Sequence, residues 1–213
     1  MFFEKALSFL FPKKCILCQK YGEVICDKCI KRVEKYETIK VIKWRNKKLD
    51  YLIYFFKYEK IIRKLILQYK FFDRPIISEM FSKIILKNKK ICGILKFYDI
   101  IIPVPMHKNK KRARGYNQTE LFSKQIADKL WITYNENVLI KIKDNTRQSS
   151  LNLEGRTTNV KNVFKIIDEN TVKGKNIILI DDIYTTGVTL EECTKELKRA
   201  GAKTVLGLVI AKD

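Results

Sequence analysis

The stretch Ile177-Ile178-Leu179-Ile180-Asp181-Asp182-Ile183-Tyr184-Thr185-Thr186-Gly187-Val188-Thr189 constrains this chain more than any other. The apolar run at 176–180 reads as a strand buried on both faces. Two carboxylates close it, and a short loop carrying hydroxyls and a glycine then opens a helix over 190–200. A strand, a tight loop and a helix in that order suit a parallel sheet with helical crossovers. The loop sets the backbone N–H groups of 184–188 at the positive end of a helix dipole, which favours a phosphate monoester. Thr185, Thr186 and Thr189 add hydroxyl donors, and Gly187 lets the backbone come close to an anion. Asp181 and Asp182 lie at the carboxyl edge of the strand, where open α/β sheets bind their ligands. There they can accept hydrogen bonds from the two hydroxyls of a ribose. An ordinary capped helix after a buried strand explains neither the paired acids nor Thr-Thr-Gly-x-Thr.

The rest of the chain alternates in the same way. Strands are expected at 41–45, 51–57, 98–104, 138–143, 163–167 and 204–210. Apolar spacing predicts a helix from Glu59, with Ile61, Ile62, Leu65, Ile66 and Tyr69 on one face, broken at Arg74-Pro75. A second helix at 76–88 turns Ile77, Met80, Phe81, Ile84 and Ile85 inward. A third, at 117–130, starts on Asn117 as N-cap with Glu120 in a capping box, and buries Leu121, Phe122, Ile126 and Leu130. The polar stretch 144–160 reads as a loop. The fold class is α/β with a mostly parallel sheet. At 213 residues the chain holds one main domain, 45–213, with a small N-terminal module, 1–44.

That module carries four of the six cysteines. Cys15-x-x-Cys18 and Cys26-x-x-Cys29 are two knuckles separated by seven residues. Four thiolates fill a tetrahedral Zn²⁺ site with no open position, the mark of a structural ribbon or knuckle. Two disulfides or a redox pair are the other readings, disfavoured by a reducing cytosol and by the doubled motif. Lys13, Lys14, Lys20 and Lys28 would offset the charge of a Zn-Cys₄ centre, and Tyr21-Gly22 suits the turn between knuckles. Cys92 and Cys193 read as small core residues.

Lys and Arg number 44 against 23 Asp and Glu, a net charge of +21. Such a charge implies an anionic partner, although heavy Lys, Ile and Asn usage is also what AT-rich coding produces. Lys108, Lys110, Lys111, Arg112 and Arg114 put five cations in seven residues. They suit a pyrophosphate or a nucleic-acid backbone, or a solvated basic loop. No apolar run approaches the roughly 20 residues that span a bilayer. The apolar segment 1–11 lacks a basic leading region and a cleavage site. A cytoplasmic location is expected, with this segment docked on the core or touching the inner face of the membrane.

The thirteen-residue stretch resembles the 5-phosphoribosyl-1-pyrophosphate (PRPP) signature of type I phosphoribosyltransferases. Three more segments narrow the resemblance: 99–105 with its Pro-Val-Pro end, Arg112-x-Arg114-Gly115-Tyr116-Asn117-Gln118, and Arg147-Gln148-x-x-Leu151 with Arg156-x-x-Asn159-Val160. Together with the cysteine pairs, they resemble the ComF family along essentially the whole chain. The resemblance implies the type I phosphoribosyltransferase architecture, with a hood at about 45–95 and a core at about 96–213. It implies PRPP bound with Mg²⁺ by Val104, Pro105, Met106, Asp181, Asp182, Tyr184, Thr185, Thr186, Gly187, Val188 and Thr189. If the site turns over, Asp181, Asp182 and Arg147 are the catalytic candidates, and 144–160, with Arg147 and Arg156, is the closing loop. The basic and aromatic hood, with Tyr58, Tyr69, Lys70, Phe71 and Phe72, is no evident base pocket. The implied role is DNA uptake in natural transformation, with single-stranded DNA held along Lys108, Lys110, Lys111, Arg112 and Arg114. A competence helicase and DNA-processing proteins are the implied partners. The alternative is an active phosphoribosyltransferase of nucleotide metabolism with an unknown acceptor.

Overall fold

The computed structural model describes residues 13–44, 48–71, 75–143 and 162–213. Segment 1–11, Phe72, Arg74 and the loop with Arg147 and Arg156 lie outside the described residues, as does the side chain of Phe71.

Helix α1 (Asp27–Glu34) leads into the antiparallel pair β1 (Glu37–Lys43) and β2 (Tyr51–Lys57). Helices α2 (Lys60–Phe71), α3 (Ile76–Lys87) and α4 (Lys89–Leu95) follow. The core then runs β3 (Ile100–Pro103), α5 (Lys108–Arg114), α6 (Gln118–Leu130), β4 (Thr133–Tyr134), β5 (Leu139–Lys141) and β6 (Phe164–Ile166). It ends with β7 (Asn176–Tyr184), α7 (Val188–Arg199) and β8 (Thr204–Lys212). The main sheet has the order β1-β2-β8-β7-β3-β4 and is parallel except at β1, while β5 and β6 form a separate antiparallel ribbon. β1 belongs to 1–44 and β2 to 45–95, so the sheet runs across residue 44, and the hood segment supplies a strand as well as helices.

Side-chain alternation along β7 divides the interior. Ile178 and Ile180 join Ile53, Phe55, Phe81 and Phe122 on one face, whereas Ile177 and Leu179 meet Leu190, Leu197 and Val209 on the other. Cys15, Ile16, Ile25, Cys29 and Val33 belong to the first cluster, so the cysteine module is packed into the main core.

Two elements depart from expectation in ways that shape the site. The strand expected to stop at Ile180 continues to Tyr184, because β8 extends alongside it as far as the Tyr184–Lys212 pair. Ladder hydrogen bonding outweighs the polarity of Asp181-Asp182. The basic run at 108–114, for which a solvated loop is one of the readings, is a helix with no Gly or Pro inside it; Gly115 ends it at φ +82°.

Candidate functional site

The carboxyl edge of β7 turns into α7 over Thr185, Thr186 and Gly187. Thr185 and Thr186 are exposed, Val188 and Thr189 half-buried, Tyr184 and Gly187 buried. Gly187 is the N-cap of α7 at φ +79°, and among the described residues no side chain caps this helix start. A Cβ on Gly187 would collide with the Tyr184 phenol. The tyrosine packs under the loop and so fixes both its path and the need for glycine. The result is a short turn, exposed at Thr185 and Thr186, into a helix start whose first amides no described side chain caps, a geometry that suits an anion.

The neighbouring strand β3 brings the second predicted segment to the same edge. The Val104 N–H donates to the Ile180 carbonyl at 2.8 Å. The Val104 carbonyl in turn accepts from Asn117 Nδ2 at 3.3 Å and from the Thr119 hydroxyl at 3.4 Å. Pro105 and Met106 follow, half-buried. Asn117 caps α6 as expected, its Oδ1 accepting from the Thr119 N–H at 3.1 Å. Glu120 does not close a capping box on the backbone of Asn117. It accepts from Asn117 Nδ2 and pairs with Lys111 at 2.7 Å.

Because β7 runs through both acids, Asp181 and Asp182 leave the strand on opposite faces. Asp182 is buried against α2 and α6. Its Oδ1 pairs with Lys70 Nζ at 2.9 Å, and its Oδ2 accepts from Gln118 Nε2 at 2.9 Å. Arg114 donates to the other end of the Gln118 amide, so the basic helix α5 is wired to Asp182 through one side chain. An arginine only donates and a carboxylate only accepts, which fixes the orientation of the amide between them. Tyr69 is buried, not a stacking platform, and its hydroxyl donates to the Gln118 carbonyl. Tyr116 donates to the Tyr69 carbonyl at 2.6 Å. Lys70 and Gln118 are site residues that sequence reasoning did not assign a role. No local sequence signal marks them, because Asp182, the buried carboxylate that needs the cation, is buried only by the tertiary fold.

Asp181 faces the α7 side, half-buried, and accepts from the Asp182 N–H at 2.8 Å. Burial, reinforced by the charge of Asp182, pushes its carboxyl up to about 7, against the opposing pull of Lys70 and Lys141. A carboxylate so far from full compensation suits a hard divalent cation or a pair of hydroxyl donors.

The five cations of 108–114 have different surroundings. Lys108 and Arg112 are exposed, Lys110 is half-buried, Lys111 is tied to Glu120 and Arg114 to Gln118.

The four cysteines converge as their spacing predicts. Their sulfurs lie within 4.8 Å of one another, and Cys18 Sγ and Cys26 Sγ are 3.7 Å apart. Tetrahedral Zn–S bonds of about 2.3 Å give sulfur–sulfur edges near 3.8 Å, so the cluster fits a zinc module. Cys15 and Cys29 are buried, which leaves no room for an exchangeable fifth ligand on the inner side. Cys193 is buried as expected, and Cys92 is half-buried with its thiol 3.5 Å from the Leu86 carbonyl. Among the described residues no helix is long and apolar enough to cross a membrane.

Residues 119–212 match the phosphoribosyl transferase domain family. Fold and edge geometry together thus define a protein of type I phosphoribosyltransferase architecture with an N-terminal four-cysteine module. Competence protein F of Haemophilus influenzae is 29% identical over 199 residues, covering 93% of this chain and 82% of that protein. DNA utilization protein YhgH of Shigella flexneri is 26% identical over 196 residues, covering 90% and 79% respectively. Competence protein ComFC of Bacillus subtilis (strain 168) is 27% identical over 210 residues, covering 92% and 83%. These similarities over about nine-tenths of the chain, with the phosphoribosyl transferase domain match, support the ComF family.

Proposed function

We propose that this chain binds PRPP at the carboxyl edge of β7 and β3 and serves DNA uptake, contacting single-stranded DNA with its basic surface. One observation carries the PRPP reading. The exposed turn Thr185-Thr186-Gly187, opening onto uncapped helix amides, shares one sheet edge with Asp181. The turn would hold the 5-phosphate with the Thr185, Thr186 and Thr189 hydroxyls, and Asp181 would take the ribose hydroxyls. Val104, Pro105 and Met106 would face the pyrophosphate. The DNA role rests on the names of the relatives and on a net charge of +21, with Lys108, Lys110, Lys111, Arg112 and Arg114 as the backbone-binding helix. The four cysteines would hold a structural Zn²⁺, which supplies folding free energy and no chemistry.

Binding without turnover is the favoured form of this reading. Both oxygens of Asp182 are already engaged by Lys70 and Gln118, so a single carboxylate, Asp181, is left to serve the ribose. Calorimetry of the zinc-loaded chain with PRPP and Mg²⁺ tests the reading, and an absence of heat would overturn it. Release of pyrophosphate with a nucleobase acceptor would instead establish the enzymatic alternative.

Two results are expected at this site. Replacing Gly187 with Ala strains a left-handed residue and drives a methyl into Tyr184. PRPP affinity should fall by more than about tenfold, since even ~1.4 kcal/mol of misplacement is a factor of ten. The comparison is wild-type against variant binding heat. The second result concerns pH. Asp181 must be ionised to accept hydrogen bonds from a ribose, and its carboxyl titrates at about 7. PRPP binding should therefore tighten as pH rises from 6 to 8. In Asp181→Asn, binding should be weak and flat across that range. The same group works against the fold. Its proton affinity is raised in the native state, so its stabilising contribution is complete below the unfolded value near 3.8 and is lost as pH rises through about 7. Without ligand, Asp181→Asn should raise the melting temperature at pH 8, by on the order of 5 °C, and leave it nearly unchanged at pH 4.

A further inference from the structure

The cysteine module and helix α2 enclose a groove that the PRPP site does not use. Its volume is about 600 Å³, and Lys13, Lys14, Gln19, Lys64 and Gln68 line it together with Ile16 and Val24. No carboxylate of the described residues lines it. Lys13 and Lys14 flank Cys15 and could be explained by the charge of a metal thiolate centre. Lys64 comes from a different element, so the convergence of three lysines on one groove is a property of the fold. Tyr21 stands beside this cluster at 59% exposure, with Lys14 Nζ 4.7 Å from its ring centroid. The knuckle holds both residues rigidly. Lys14 bridges Tyr21, the Gly22 N–H donates to the Lys13 carbonyl at 2.9 Å, and the Cys15 N–H to the Lys20 carbonyl at 2.8 Å. An exposed aromatic face beside lysines that pair with no carboxylate of the described residues, on a hydrogen-bonded turn, matches the chemistry of a single strand: phosphates for the ammonium groups and a base for the ring. A duplex offers no base face to stack on.

We propose that this groove is a subsite for single-stranded nucleic acid, with Lys13, Lys14 and Lys64 on consecutive phosphates and Tyr21 stacked on a base. The proposal rests on the single-strand reading above and adds to the basic helix α5 a further contact surface for the strand, lined by no α5 residue. It also relates the strand to the sugar-phosphate site. Lys64 precedes Lys70 by six residues on α2, about 9 Å along the helix, and Lys70 holds Asp182. One helix therefore touches both sites.

The test is fluorescence anisotropy of a labelled oligothymidylate with the full zinc-loaded chain across a salt series. The variants are the triple Lys13→Gln/Lys14→Gln/Lys64→Gln, Tyr21→Ala and Tyr21→Phe, each checked for zinc content and PRPP heat. The triple variant should lose about tenfold or more in affinity near 0.1 M salt, and its log-affinity slope against log salt should fall by about 2. Tyr21→Ala should lose about tenfold and Tyr21→Phe should recover it, because the ring and not the hydroxyl stacks. If wild-type protein binds the oligonucleotide and these variants bind equally well, this site is overturned while the single-strand reading stands. If wild-type protein binds no single strand, that reading fails and this site with it. If heparin binding falls with the triple variant while Tyr21→Ala leaves oligonucleotide binding intact, the groove is a plain anion surface and the proposal is overturned.

Discussion

Removing metal from the four-cysteine cluster is expected to destabilise the whole domain and not only the knuckles. Cys15 and Cys29 are 0% and 3% exposed, and Ile16, Ile25 and Val33 around them are buried in the same cluster as Phe55, Ile66, Phe81 and Ile180. Without a cation, four sulfurs within 4.8 Å of one another must protonate or repel. The loop from Lys13 to Cys29 then loses what closes it. Structural zinc in small modules supplies about 10 kcal/mol of apparent binding free energy, and that energy is folding energy. Only part of it reaches the main domain, through the shared core. A fall in melting temperature of on the order of 10 °C is still expected for a domain of this size. Chelation followed by calorimetric melting checks this, with Cys29→Ser as the genetic equivalent and bound zinc measured in both. Cys92→Ser serves as the control, since its half-buried thiol is not one of the four clustered sulfurs. A melting transition unmoved by chelation, with the metal demonstrably gone, would make the module an independent appendage and contradict the packing.

The sequence carried the fold where apolar periodicity was strong and undisturbed. Ile77, Met80, Phe81, Ile84 and Ile85 all face inward on α3, and Ile62, Leu65, Ile66 and Tyr69 on α2. The cysteine pairs were legible for a different reason: a C-x-x-C turn brings two ligands together locally, so little depends on the tertiary fold. Limits appear where a distant partner decides. β7 extends past its apolar run because β8 is there to pair with it, which no local window contains. That extension sends Asp181 and Asp182 to opposite faces and assigns them different work, although as neighbours they looked equivalent. Short β4, only Thr133 and Tyr134, exists as the edge partner of β3 and has no strand signature of its own. Lys70 and Gln118 were visible as residues, but their shared partner Asp182 lies 112 and 64 positions away. The burial of Tyr69 was legible from its place on the apolar face of α2, but not the work of its hydroxyl, which donates to the Gln118 carbonyl at the start of α6.

Replacing Lys70 with Met should be among the most damaging single changes in the site. The Asp182 carboxylate is 7% exposed at its side chain, and Lys70 is 17% exposed, so neither end of the pair is screened by water. Taking away the ammonium leaves a buried negative charge held by one neutral amide. Losing one partner of such a pair costs about 3 kcal/mol, mainly as uncompensated charge and not as a lost contact. Chemical denaturation should show it. Asp182→Asn should cost less, because the lysine stem can turn its ammonium towards solvent. The double variant Lys70→Met/Asp182→Asn should recover part of the loss, since it removes the stranded charge. Destabilisation alone does not show that Lys70 serves the binding site, but a pH profile does. Lys70 is one of the charges that pull the Asp181 carboxyl down, opposing burial and Asp182. In Lys70→Met that carboxyl should titrate above its present value of about 7, and the pH at which PRPP binding reaches half its strength should rise with it. In the double variant the charge of Asp182 is gone as well, and the half-point should return towards the wild-type position. A half-point that stays put in Lys70→Met would confine the lysine to a structural role and separate Asp182 from the electrostatics of Asp181.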